Sequence, residues 1–196
     1  MSEFKNSQTC LNLANAFAGE SQARNRYTFF AAEALKAGYN QISRLFLETA
    51  DNEKEHALIF YKHLVENFGA DVPNTITVSG DFPIEFGDTA ENLLSATNGE
   101  KDEVETYSAM ADVAEQEGYQ AVARSFRAIA AVESHHSLRF QRLLDNVLND
   151  QVFAKDETTQ WICKTCGYIH TGPKAPELCP ACLLPKSHFE VLAEPY

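Results

Sequence analysis

A fixed offset of 80 residues relates one stretch of this chain to another. Gly19 is matched by Gly99, Glu20 by Glu100 and Tyr27 by Tyr107. The matching continues through Gly38 and Gly118, Tyr39 and Tyr119, Arg44 and Arg124, Phe46 and Phe126, Glu53 and Glu133, His56 and His136, Phe60 and Phe140, and Leu64 and Leu144. Such a repeat limits the fold to two equivalent units related by a pseudo-twofold axis.

Apolar residues recur at intervals of three and four, which predicts four long helices over roughly 8–37, 40–68, 89–117 and 120–149. Short turns at Gly38-Tyr39-Asn40 and Gly118-Tyr119 make the two helices of each unit antiparallel neighbours. Between the units, Pro73, Gly80, Pro83 and Gly87 break any helix, and the stretch suits a crossover running the length of a bundle. Two hairpins joined by one long crossover make a mainly α, ferritin-like four-helix bundle. Composition changes near residue 155, beyond which lie five of the seven prolines and four of the five cysteines. We therefore read 1–152 as the bundle and 153–196 as a small metal-binding ribbon.

A chain of 196 residues can build one sizeable core plus a short appendage that needs another form of stabilisation. The net charge of −12 leaves no basic patch for a nucleic-acid backbone. No apolar run is long enough for a bilayer, and Met1-Ser2-Glu3-Phe4-Lys5 lacks the features of a secretory signal. A cytoplasmic location is expected, where closely spaced cysteines more often bind metal than pair as disulfides.

Helix one carries Leu13, Phe17, Glu20, Ala23, Tyr27, Phe30 and Ala34 on one stripe, so Glu20 interrupts the face due for burial. Glu53 and His56 interrupt the stripe of helix two, Glu100 and Glu103 that of helix three, and Glu133 and His136 that of helix four. Burying those acids uncompensated would cost several kcal/mol per ion, so cations must supply the balance. One Glu from each of two helices plus Glu-x-x-His from each of the other two is the di-iron or di-manganese carboxylate arrangement. A lone Glu-x-x-His is more often a solvated helix face, but two copies at equal spacing from a paired Glu point to ligands. Glu103 breaks the repeat, because its counterpart is Ala23; it is either an extra ligand on one side or an ordinary helix-edge glutamate. Tyr27 and Tyr107 could hydrogen-bond carboxylates or bound oxygen species, with core packing as the alternative.

In the tail, Cys163-x-x-Cys166 and Cys179-x-x-Cys182 form two knuckles that aim four thiolates at one ion, a tetrahedral site suited to iron or zinc. Cys10 stands apart as an ordinary thiol, and His63, His135, His170 and His188 are expected at the surface or in packing roles.

As a set, these residues resemble the rubrerythrin family. The resemblance runs through Ala18-Gly19-Glu20-Ser21-Gln22-Ala23-Arg24, Glu53-Lys54-Glu55-His56-Ala57, Gly99-Glu100 with Glu103, Glu133-x-x-His136, and Ala175-Pro176-Glu177-Leu178-Cys179-Pro180-Ala181-Cys182. It implies a non-haem peroxidase that reduces hydrogen peroxide to water. The implied cofactors are three Fe per chain, a di-iron carboxylate centre and one iron on four cysteines that relays electrons. It further implies that Glu53 and Glu133 bridge the irons, that Glu20 serves the first, and that Glu100 and His136 serve the second. Glu103 would bind the first iron in the ferric state and give way to His56 on reduction, which makes Glu103, His56, Tyr27 and Tyr107 the catalytic candidates. One departure is Leu183, where free-standing rubredoxins commonly place Gly; it is expected to affect N–H contacts to sulfur without preventing ligation.

The resemblance also implies an electron donor, a reductase or rubredoxin fed by a reduced nicotinamide such as NADH, and assembly as a homodimer or larger oligomer. Ferroxidase and iron-storage chemistry on the same bundle is the competing function, and a sensor with a zinc ribbon is a third. A storage shell has no use for an attached electron relay.

Overall fold

The computed structural model describes residues 3–194. Four helices dominate it: α1 (Gln8–Lys36), α2 (Asn40–Phe68), α3 (Thr89–Gln116) and α4 (Gln120–Leu148). Local chemistry explains their ends. The Ser7 side chain accepts from the Cys10 N–H at the start of α1. Asp88 and Glu91 form a reciprocal capping box at the start of α3. The two hairpin turns are copies of each other. Gly38 and Gly118 adopt φ of 83° and 88°, the left-handed region that a side chain disfavours. Each turn closes with a bond back to the helix it leaves, from Tyr39 N–H to Ala34 O at 2.9 Å and from Tyr119 N–H to Ala114 O at 2.7 Å.

The repeat is visible in the packing. One apolar layer contains Leu13, Ala16, Phe60, Tyr107, Ala111, Ala114, Val122 and Phe126. The other contains Leu93, Ala96, Phe140, Tyr27, Ala31, Ala34, Ile42 and Phe46, the counterparts of the first at the 80-residue offset. Phe46 and Phe140 lie 5.0 Å apart between ring centroids, and Phe126 and Phe60 4.9 Å apart. Along each helix the ligand candidate falls between the two layers, Glu20 between Ala16 and Ala23, Glu53 between Ala50 and Phe60, Glu100 between Ala96 and Tyr107 and Glu133 between Ala130 and Phe140, so a polar section separates two related apolar ones. Burial of these aromatic rings, each contributing on the order of 2 kcal/mol or more, supports the helices that aim the glutamates inward.

After a short 3-10 turn at Gly69–Asp71, the crossover runs without regular structure to α3. It is tied to α1 by the Ser79 N–H on Asn15 Oδ1 at 3.0 Å and by stacking of Phe86 on Phe30. Beyond α4, a three-stranded antiparallel sheet has the order β2 (Ile169–Lys174), β1 (Ala154–Cys163), β3 (Phe189–Val191). Its small core holds Trp161, Cys163, Ala175, Cys179 and Phe189. The Trp161 indole N–H donates to Gly172 O at 3.0 Å, which satisfies the one polar atom of that ring. Tyr39 stacks on Phe153, and Arg44 pairs with Glu190 at 2.6 Å, so the sheet rests against the α1–α2 turn.

Candidate metal centres

Glu20 from α1, Glu53 and His56 from α2, Glu100 from α3 and Glu133 and His136 from α4 converge between the two apolar layers. They form two overlapping groups, Glu20, Glu53, His56 and Glu133 in one and Glu53, Glu100, Glu133 and His136 in the other, with ligand atoms within 4.8 Å of one another in each. Glu53 and Glu133 belong to both groups. The four glutamates are fully buried, and the imidazoles nearly so. His56 Nδ1 lies 2.9 Å from Glu53 Oε2 and 2.9 Å from Glu133 Oε1. His136 Nδ1 lies 2.8 Å from Glu133 Oε2, 3.2 Å from Glu53 Oε1 and 3.4 Å from Glu100 Oε2.

One hydrogen bond joins members of the set, between His56 Nδ1 and Glu53 Oε2 at 2.9 Å. Glu20 Oε2, Glu53 Oε1, Glu100 Oε2, both oxygens of Glu133 and His136 Nδ1 are buried and lack a hydrogen-bond partner. So many orphaned buried acceptors would be costly unless they converge on a cation. Their proton affinities carry the same message. Burial raises the Glu20 carboxyl well above its usual range, helped by Glu103, Glu53 and Glu133, and pushes Glu100 up to about 8. Burial works against the charged imidazoles, but the carboxylates outweigh it, raising His56 to about 9 and His136 to about 12. Burial likewise opposes ionisation of Glu53, yet the two imidazoles hold it at about 2. Mixed oxygen and nitrogen donors of this number fit a pair of iron ions.

Both tyrosines reach the site, and they do so crosswise. The Tyr27 hydroxyl of α1 donates to Glu100 Oε1 of α3 at 2.6 Å, and the Tyr107 hydroxyl of α3 donates to Glu20 Oε1 of α1 at 2.7 Å. Glu103 stands differently from the other acids. It joins neither group of four and is only half-buried as a residue, although its Oε2 is buried without a partner. It lines a cavity of about 320 Å3 between α1 and α3, together with Gly19, Arg26, Phe82, Gly99 and Tyr107. Burial and the charges of Glu100, Glu53 and Glu133 raise its carboxyl well above the usual range, with Arg26 opposing. Two residues that periodicity did not single out also touch the site. Arg26 lines that cavity with its Nη1 buried and unpartnered. Asn52 lies one residue before Glu53 and places Oδ1 3.3 Å from His136 Nε2. No sequence signal marked either, since charged and amide residues on helices are mostly solvated.

In the ribbon, Cys163, Cys166, Cys179 and Cys182 bring their sulfurs within 4.8 Å of one another. The two knuckles match. Gly167 N–H bonds Cys163 O at 2.8 Å, and Leu183 N–H bonds Cys179 O at 2.9 Å. Leu183 keeps this turn by adopting φ of 61°, beside 79° at Gly167. The expected disturbance of N–H contacts is therefore absorbed as backbone strain: the Leu184 N–H still reaches the Cys182 sulfur, as the Tyr168 N–H reaches that of Cys166. Cys10 is buried in an apolar layer, which pushes its thiol up. His63 bonds Ser125 Oγ at 2.8 Å, His188 bonds Thr165 Oγ1 at 2.9 Å, and His135 is exposed; like His170, none joins a cluster.

The bundle topology, the two histidine-carboxylate groups and the four-sulfur ribbon define a ferritin-like di-iron protein that carries its own rubredoxin-like iron site. Residues 12–144 match the family model for rubrerythrin, and residues 161–190 match that for the rubredoxin-like domain of rubrerythrin. The chain belongs to the rubrerythrin family. It is 48% identical to Rubrerythrin-1 of Clostridium acetobutylicum over 198 residues, covering 100% of both chains. A solved structure of nigerythrin in a mixed-valence state is 31% identical, with a TM-score of 0.63 and coverage of 95% of this chain and 90% of that one. Bacterioferritin of Desulfovibrio desulfuricans shares the bundle at a TM-score of 0.67 over 76% of this chain and 84% of that one; at 21% identity this likeness concerns the fold alone. Among the described residues, no helix is long and apolar enough to cross a membrane.

Proposed function

We propose that this protein is a peroxidase that reduces hydrogen peroxide to water, taking up two electrons and two protons per peroxide. The observation that carries the reading is the presence in one chain of a buried two-metal site and a four-cysteine site that reaches the surface. Cys166 is exposed and Cys182 half-exposed, so an electron donor can approach that end. When bound, the irons supply electrons and Lewis acidity at the peroxide oxygens. Glu53 and Glu133, which belong to both groups, would be shared by the two irons, with Glu20 and His56 holding one and Glu100 and His136 the other. Tyr27 and Tyr107 hold the terminal carboxylates in orientation through their hydroxyls. Glu103 would exchange with His56, which would offset part of the change in charge as the electron count of the site changes.

A cytoplasmic location suits the four cysteines as metal ligands, since a reducing compartment disfavours their pairing as disulfides. The donor is a reductase linked to NADH, or a rubredoxin, and the working form is a homodimer or larger. Anaerobic reduction followed by peroxide addition tests this reading in the visible spectrum. Rapid, stoichiometric reoxidation of both iron sites is the expected result. Inertness to peroxide, with ferrous iron instead oxidised by oxygen and retained, would establish the ferroxidase alternative.

A further inference from the structure

The two Glu-x-x-His pairs are equivalent in the repeat, yet the structure treats their histidines differently. His136 turns Nδ1 toward the carboxylates and Nε2 toward Asn52 Oδ1 at 3.3 Å. With Nδ1 serving a metal, Nε2 carries the proton and donates to that amide oxygen, which fixes both tautomer and ring orientation. At the 80-residue offset, the counterpart of Asn52 is Val132. A valine offers no polar atom. No hydrogen bond to His56 Nε2 is found among the described residues, and the His56 side chain is 9% exposed against 2% for His136. The imidazole whose outer nitrogen has no partner, although its Nδ1 is bonded to Glu53 at 2.9 Å, is also the one nearer solvent.

We propose that Asn52 is a positioning residue that pins His136 to its metal, and that Val132 leaves His56 free to move, so that the Asn52 and Val132 pair decides which metal of the centre can exchange ligands. The proposal rests on the two-metal reading above and not on peroxide as substrate. Glu103 gives the inference its use: it is a spare carboxylate whose counterpart, Ala23, cannot serve the other side. Its neighbour one turn on, Tyr107, bonds Glu20, the partner of His56 in its group. Mobility and replacement ligand thus fall on the same side of a pseudo-symmetric site.

The test needs no turnover. Metal-free full-length protein, with Asn52→Val, Val132→Asn and both changes together, is loaded stepwise with cobalt(II). Affinities are read by absorbance, and the exchangeable imidazole N–H signals by paramagnetic NMR. The unchanged protein should show one slowly and one rapidly exchanging N–H, assigned with His56→Gln. Asn52→Val should weaken one cobalt site about 10- to 100-fold, the usual effect of losing such an anchor, and speed exchange of the His136 signal. Val132→Asn, at a position 37% exposed and open to a polar side chain, should slow the His56 signal. The double variant should reverse the order of the two signals. Equal weakening at both sites, or a lowered melting temperature with both exchange rates unchanged, would overturn the proposal by reducing Asn52 to a packing role. A protein that shows the reversal but ignores peroxide would retain this inference and lose the peroxidase reading.

Discussion

Replacing Tyr27 by Phe removes one oxygen and little else, because the ring stays packed against Phe140 at 5.3 Å and Phe46 at 6.0 Å between centroids. The hydroxyl donates to Glu100 Oε1 at 2.6 Å, and its cost depends on the charge of that carboxyl. Without metal, burial raises Glu100 to about 8, so at neutral pH it is largely a neutral acid. A neutral hydrogen bond contributes about 0.5–1.5 kcal/mol. With metal bound the carboxylate is ionised, and hydrogen bonds to charged groups contribute about 1.5–3 kcal/mol. The difference, about 1–1.5 kcal/mol, must appear as weaker metal binding on the order of tenfold. Urea denaturation of metal-free protein measures the first quantity, and cobalt(II) titration against a competing chelator measures the second. Tyr107→Phe should behave alike, since its hydroxyl serves Glu20 in the mirrored position. A Tyr27→Phe protein with normal metal affinity, or one whose whole loss is already present without metal, would refute the reasoning.

In the metal-free protein, Glu100, His56 and His136 all bind protons more tightly folded than unfolded. Stability should therefore fall as pH rises, from 4.5 to about 8 through Glu100 and from 6.5 to about 9 and about 12 through His56 and His136, while Glu53, held at about 2, titrates below that window; melting followed by circular dichroism in chelator checks the sign, and metal-loaded protein should show the opposite trend because its ligands must lose protons. Gly118→Ala should cost roughly 1–2 kcal/mol from its φ of 88° alone, because nothing lies within 4 Å of the added carbon; denaturant titration measures it, and a neutral result would contradict the left-handed turn. Leu183→Gly should relieve the strain at φ 61° and raise the melting temperature of the ribbon, followed by Trp161 fluorescence, while the iron spectrum stays unchanged. Cys179→Ser should empty the ribbon of iron and unfold it, with the bundle metals retained, because so small a core depends on its ion.

The 80-residue repeat, the four helices, the turns at Gly38 and Gly118, the ligands on apolar stripes and the paired cysteines were all legible in one dimension. Each is a local property: helical periodicity places residues three and four apart on one face, and a C-x-x-C knuckle aims its own sulfurs. What tertiary structure alone decided concerns partners far apart in sequence. Only packing α1 against α3 shows that Tyr27 bonds Glu100 and Tyr107 bonds Glu20, that Glu103 stands off both groups of ligands, and that Arg26 shares its cavity. Only packing α2 against α4 brings Asn52 to His136, while among the described residues no hydrogen bond reaches His56 Nε2. A periodic pattern says which face a residue occupies; which atom of another helix it meets depends on how the two helices are set against each other, and no single helix contains that information.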